Sequence, residues 1–122
     1  MKLTTKDIDG ITVIELKGRM TVDKIYSLTK SIEKNVFPFP GKLAESAGKG
    51  KCKVILDMAG VEAIDSSGLG TVLFLAKKCR ALGGDLKIVS IRPEVKSVFE
   101  IVKFDKILQI FNSLDDAVIS YG

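Results

Sequence analysis

Seven residues, "CKVILDM" at positions 52–58, constrain the fold more than any other stretch of this chain. The run is apolar without alternation, and a strand of that pattern is buried on both faces, as in the middle of a parallel sheet. A sheet of that kind needs helices against its faces and crossover connections between its strands. The rest of the chain is therefore read for strands alternating with helices.

That alternation is present. "KLTTKDIDGITVIELKG" reads as two short strands around Asp9-Gly10, a pair suited to a type I′ hairpin because both positions need positive φ. Val22, Ile25, Tyr26, Leu28, Thr29, Ile32 and Val36 recur at helical spacing, which predicts a helix from about Val22 to Asn35 with Thr21 as its N-cap. "VFPFPGKLAESAGKGK" (36–51) breaks the pattern with Pro38, Pro40 and three glycines, and reads as a long surface connection with a short helical turn around Lys42–Ala47. After the apolar strand, Leu69, Val72, Leu73, Ala76, Cys79 and Leu82 mark a helix over about Ser67–Leu82, stopped by Gly83-Gly84. "DLKIVSI" is a strand, and "RPEVKSVFEIVKF" a helix with Pro93 in its first turn. "KILQIFN" is a last short strand, and "SLDDAVISYG" a terminal helix capped by Ser113. The order β-β-α-β-α-β-α-β-α predicts an α/β fold: a mixed sheet, opening with a hairpin and otherwise largely parallel, with four main helices. At 122 residues the chain is expected to form one domain, 1–122.

Composition excludes more than it assigns. There is no histidine, so no Ser-His-Asp or Cys-His couple and no histidine-ligated zinc site can form. Cys52 and Cys79 have no CxxC spacing and read as free, buried thiols; no metal site and no cofactor are expected. A net charge of +4 is spread among 15 acidic residues without a basic run, which argues against a nucleic-acid partner. "MKLTTKDIDG" lacks an apolar stretch of signal-peptide length, and no later segment is long enough to span a membrane, so a cytoplasmic location is expected. "GKLAESAGKGK", "GLGTVL" and "IDSSG" each miss an essential glycine of the phosphate-loop, dinucleotide or nucleophile-elbow patterns.

Two places could still carry chemistry. Asp57 is expected at the C-terminal end of the buried strand, where α/β sheets gather their ligands. "KVILDM" superficially resembles the strand bearing the phosphoacceptor aspartate of response-regulator receiver domains. The acidic cluster that would hold their Mg²⁺ is replaced by "VIELKGRM", and "LQIFNSL" lacks their lysine, so Asp57 is expected to bond a turn instead. The other place is Asp65-Ser66-Ser67-Gly68. Ser and Asp suit a helix N-cap, yet three polar residues stand where one suffices. Gly68 and Gly70 are expected to leave the first turn bare, open to a partner's surface. A hydroxyl there could accept a phosphoryl group, though it is a poor nucleophile without a base. The residues alone leave cap and acceptor both open.

The run D-x-x-G-V-x-x-I-D-S-S-G-L-G (57–70), with "LGGDLKIV" and "VKSVFEIVKFDKIL" following and "GITVIELKGRM" before it, resembles the STAS domain of bacterial anti-sigma-factor antagonists. The resemblance covers nearly the whole chain except about 36–51. It implies a partner switch rather than an enzyme. The unphosphorylated protein would bind an anti-sigma factor that is also a serine kinase, freeing a sigma factor. Phosphorylation of the first serine of D-S-S-G, Ser66, would end that binding, and a metal-dependent serine phosphatase would restore it. Partner contacts are expected from Thr21, Asp23, Asp65, Ser67, Gly68, Leu69, Thr71 and Val72, and a monomer or weak dimer is expected. Two departures stand out: Thr21 occupies the place where the family usually has an aspartate, with Asp23 displaced, and the 36–51 loop is long, with Phe37 and Phe39 offering an accessory contact. The alternatives are a STAS scaffold that no longer switches, a nucleotide- or lipid-binding module, or an aspartyl-phosphate receiver using Asp57.

Overall fold

The computed structural model describes residues 1–35 and 52–121, with side chains at 33–35 left aside. The hairpin comes first: β1 (Lys2–Ile8) pairs antiparallel with β2 (Ile11–Met20) through Asp9 and Gly10, at φ 51° and 82°. Positive φ at both positions is the geometry the Asp-Gly pair predicts. Helix α1 (Ile25–Asn35) leads out of the described residues, and β3 (Lys53–Ile64) re-enters them beside β2, in parallel. Helix α2 (Ser66–Ala81), β4 (Asp85–Val89), α3 (Pro93–Ile101), a 3₁₀ turn (Phe104–Lys106), β5 (Gln109–Phe111) and α4 (Leu114–Tyr121) follow. The five strands lie in sequence order, and every pairing after the hairpin is parallel. Among the described residues this is the mixed sheet with four helices that the element order predicts.

Alternation within the central strands splits the core in two. Ile14 and Leu16 of β2, Val54, Leu56 and Met58 of β3, and Leu86 and Ile88 of β4 share one face, covered by α1, α2 and α3. Ile11, Val13, Ile55 and Val89 point to the other face, covered by α4 through Ala117 and its neighbours. Val54, Ile55 and Leu56 are apolar without alternation because both faces are roofed.

Two departures from the sequence reading concern β3 and α1. The strand does not end at Asp57: it runs on to Ile64, with register shifts against β2 between Glu15 and Lys17 and between Gly18 and Arg19. Ala59-Gly60 looks like a breaker, but an irregular register absorbs such a pair without ending the strand. Helix α1 starts three residues later than predicted. Residues 22–24 form a turn in which the Thr21 carbonyl accepts from both Lys24 N–H and Ile25 N–H. Leu28 and Ile32 are buried and Ile25 half-buried, whereas Val22 and Tyr26 are 73% and 71% exposed. Val36, the predicted Lys42–Ala47 turn, and the contact expected of Phe37 and Phe39 lie outside the described residues.

The end of α2 shows why two glycines stand together. Gly83 N–H donates to Arg80 O and Gly84 N–H to Cys79 O, closing the helix with Gly83 at φ 84°. A Cβ on Gly84 would lie 1.5 Å from the Cys52 carbonyl oxygen, so the crossing of α2 onto β3 requires glycine there. Cys52 and Cys79 are buried free thiols, as their spacing predicts. Ser113 Oγ accepts from Asp116 N–H, the cap expected for α4.

Under α4 lies the one buried charged side chain among the described residues. Lys87 is 6% exposed; its Nζ donates to Ser120 Oγ at 2.7 Å and stands 4.0 Å from the centre of the Tyr121 ring. Burial holds its pKa below the usual lysine value. The Tyr121 hydroxyl lies 2.7 Å from the carbonyls of both Val54 and Asp85, joining α4 to two neighbouring strands. Tyr121→Phe keeps the ring beside Lys87 and removes only this tie. It is expected to cost about 1–3 kcal/mol, because carbonyl oxygens at a part-buried position lose a donor. Chemical denaturation checks this, and an unchanged midpoint would count against it.

Candidate functional site

The cap of α2 is Asp65, not Ser66. Asp65 sits in extended backbone at φ −116° and its Oδ1 accepts from Ser67 N–H at 2.9 Å and Gly68 N–H at 3.2 Å. The same oxygen accepts from the Ser67 hydroxyl. The second oxygen, Oδ2, reaches back across the chain to Val22 N–H at 2.8 Å, and Asp65 N–H donates to Met20 O at 3.1 Å. One carboxylate thus fixes both the start of α2 and the turn after β2. The Ser67 hydroxyl first, then the Val22 amide, hold its carboxyl below the usual carboxylate range.

With the capping done by its neighbour, Ser66 is left as the first helical residue, exposed. Among the described residues no hydrogen bond engages its hydroxyl. Ser67, by contrast, is half-buried and its hydroxyl is committed to Asp65. Two adjacent serines therefore have different duties: one belongs to the cap, the other stands free at the helix start. Among the described residues no base is hydrogen-bonded to Ser66, which leaves it there a hydroxyl acceptor and not an activated nucleophile.

The remaining expected contact residues divide. Thr21 is half-buried and Asp23 exposed; the Thr21 hydroxyl donates to Asp23, which lowers the pKa of that carboxyl. Thr21 thus binds its neighbour's carboxylate instead of capping α1 with its side chain. Thr71 is half-buried, with Oγ1 bonded to Ser67 O at 3.0 Å. Leu69 and Val72 are at 9% and 0% exposure in the core, so the contact expected of them is corrected: both hold α2 to the sheet. Gly68 is corrected too. It is buried, and a Cβ there would lie 2.4 Å from Met20 O and 2.7 Å from Ile64 Cγ1, so its bareness serves internal packing. Only Gly70 matches the expectation of an open first turn, for a Cβ there meets nothing within 4 Å.

The exposed line along α2 is Ser66, Gly70 and Phe74, each four residues from the last, with Phe74 at 53% exposure. Val22 and Tyr26 stand on the turn and helix that Asp65 ties to this end. None of these three apolar side chains was singled out as a site residue in the sequence: Val22 and Tyr26 fit the apolar spacing of a helix, and Phe74 falls outside the apolar stripe read for α2. Asp57 is half-buried in mid-strand, and its Oδ1 accepts from Ala59 N–H at 3.0 Å; the expected turn is absent, because β3 runs on past it and the bond lies within the irregular stretch of the strand. Among the described residues no group of three or more acidic or cysteine side chains could hold a metal ion, and no helix is long and apolar enough to cross a membrane. Two open grooves, of about 590 and 380 Å³, run along β5 and include no residue of α2.

The sequence profile of the STAS domain matches residues 2–117. The chain belongs to the STAS domain family. Within that family it falls among the bacterial anti-sigma-factor antagonists. It is 32% identical over 121 residues to BtrV of Bordetella bronchiseptica, which carries that name, covering 99% of this chain and 95% of the relative. The fold is similar to that of Thermotoga maritima TM1081, also so named, with a TM-score of 0.80 at 21% identity over 97% of this chain and 92% of the other. It is similar as well to SpoIIAA of Bacillus in its phosphorylated form, with a TM-score of 0.65 at 16% identity over 99% and 100% of the two chains.

Proposed function

We propose that this chain, acting as one STAS domain in the cytoplasm, is a partner switch controlled by phosphorylation of Ser66. The unphosphorylated form binds an anti-sigma factor that is also a serine kinase, and so releases a sigma factor. Phosphoryl transfer to Ser66 ends the binding, and a metal-dependent serine phosphatase reverses it. The observation that carries this reading is the free, exposed Ser66 hydroxyl at the start of α2, beside a Ser67 hydroxyl already committed to Asp65. The chain is then a substrate and a ligand of other proteins, with no cofactor of its own.

The partner would read the ridge formed by Ser66, Gly70 and Phe74 together with Val22, Asp23 and Tyr26. Exposed apolar side chains around a small polar centre suit a docking surface. Phosphorylation places about −1.5 to −2 charges on that surface. Negative charge is tolerated at a helix start, so the interface loses affinity while the fold is kept.

Incubation with Mg-ATP and the anti-sigma kinase, followed by mass-spectrometric mapping, tests the assignment. Phosphate is expected on Ser66 in the wild-type chain, and none on Ser67 in a Ser66→Ala variant. An alkali-labile phosphate on Asp57, or an ester on Ser67, would replace this reading.

A further inference from the structure

An anion placed on the first residue of a helix ordinarily folds back onto the free amides of the first turn, where hydrogen bonds and the helix dipole hold it. Here two of those amides are taken. Ser67 N–H and Gly68 N–H both donate to Asp65 Oδ1, and the Ser67 hydroxyl points to the same oxygen. The other carboxylate oxygen is fixed on Val22 N–H, so the carboxylate is held from two sides and cannot turn away without releasing the β2–α1 turn. The first turn thus carries its anion before any phosphate arrives.

We propose that Asp65 is a positioning residue that occupies the Ser67 and Gly68 amides, denies both to a Ser66 phosphoryl group, and so keeps it projecting into the space of the binding protein. The inference rests on Ser66 as the modified residue and adds to it the reason the mark is read outside the fold. Asp65 does two further things. Its negative charge stands one residue from the phosphoryl group and repels it, and its bond to Val22 keeps the turn bearing Val22 and Asp23 in place whether or not the mark is present. The other charged groups on the elements meeting here are Arg19, Asp23 and Lys24 around the turn and Glu62 on β3.

The test needs neither kinase nor partner. Phosphoserine is incorporated at position 66 during translation, in the wild-type chain and in Asp65→Asn and Asp65→Ala. The second ionisation of the phosphate is followed by ³¹P NMR, and the Ser67 and Gly68 amides by ¹H–¹⁵N spectra. Phosphoserine ordinarily titrates at about 6. A like charge raises such a value, whereas hydrogen bonds to the charged form lower it. The wild-type chain is expected to titrate about half a pH unit or more above the ordinary value. Asp65→Asn keeps an oxygen on the amides but loses the charge, and should return close to the ordinary value. Asp65→Ala frees the amides and should fall below it, with the Ser67 and Gly68 signals moving as the phosphate titrates. A wild-type value at or below the ordinary one, or amides that follow the phosphate while Asp65 is present, overturns the proposal. Should Asp65→Ala not fold, the difference between wild type and Asp65→Asn decides, since no downward shift between them is equally fatal. A kinase that never touches Ser66 would defeat the proposed function without altering these titrations.

Discussion

Ser66→Asp is expected to fold like the wild-type chain and to bind the anti-sigma factor at least tenfold more weakly. The two halves of this result have separate causes. An acid at the first helical position meets the positive end of α2 and the repulsion of the neighbouring Asp65, two opposed effects at an exposed site, and the hydroxyl it replaces makes no hydrogen bond among the described residues. The melting temperature should therefore move by only about 2 °C or less, since exposed substitutions of this kind stay within about 0.5 kcal/mol. At the interface the same charge is either stripped of water or set against a surface shaped for a neutral hydroxyl. A cost of about 1.4 kcal/mol is a tenfold loss, and a buried unpaired charge costs more than that. Ser66→Ala is the control and should bind as the wild type does. Calorimetry on the three proteins checks the prediction; tight binding by Ser66→Asp would remove the interface argument.

The second large effect separates two glycines that look alike in the sequence. Gly68→Ala is expected to destabilise the fold by about 2 kcal/mol or more, although alanine is the better helix former by about 1 kcal/mol. The added methyl would press on the Met20 carbonyl at 2.4 Å and on Met20 Cβ at 2.7 Å, and backbone at the end of β2 has little room to yield. Gly70→Ala should do the reverse. With nothing within 4 Å of the new Cβ, helix propensity acts alone and stability rises by up to about 1 kcal/mol. The same methyl sits on the ridge between Ser66 and Phe74, so the more stable variant should bind its partner less well. Denaturant titrations of both variants, with binding measured for Gly70→Ala, settle the pair. Equal effects at the two positions would show that the first turn packs differently.

The contrast shows which parts of this molecule could be read in advance. Asp9-Gly10 forces its hairpin, the unbroken apolar strand forces a two-sided sheet, and Gly83-Gly84 stops a helix, because each depends on a few adjacent residues. Where a side chain's duty depends on a distant segment, the sequence is silent. Gly68 is bare for the sake of Met20, and Asp65 is bonded to Val22, 43 residues away in the chain. Neither pairing leaves a local trace. Val22 and Tyr26 fit the apolar spacing of α1, yet the helix begins after Val22, and Tyr26 lies on the side away from Leu28 and Ile32. At the candidate site, the D-S-S-G motif marks the loop but not its division of labour. That Asp65 caps, Ser67 assists and Ser66 is spared follows only from where the hydrogen bonds fall.

The margins of the sheet carry a consequence of their own. One edge is β1, where five of seven residues, Lys2, Thr4, Thr5, Lys6 and Asp7, are exposed and all are polar; the other is β5, only three residues long. Neither offers a second chain a long apolar strip to extend, which is how native sheets avoid stacking into aggregates. For the partner exchange proposed above, edges of this kind would keep the chain from pairing with copies of itself.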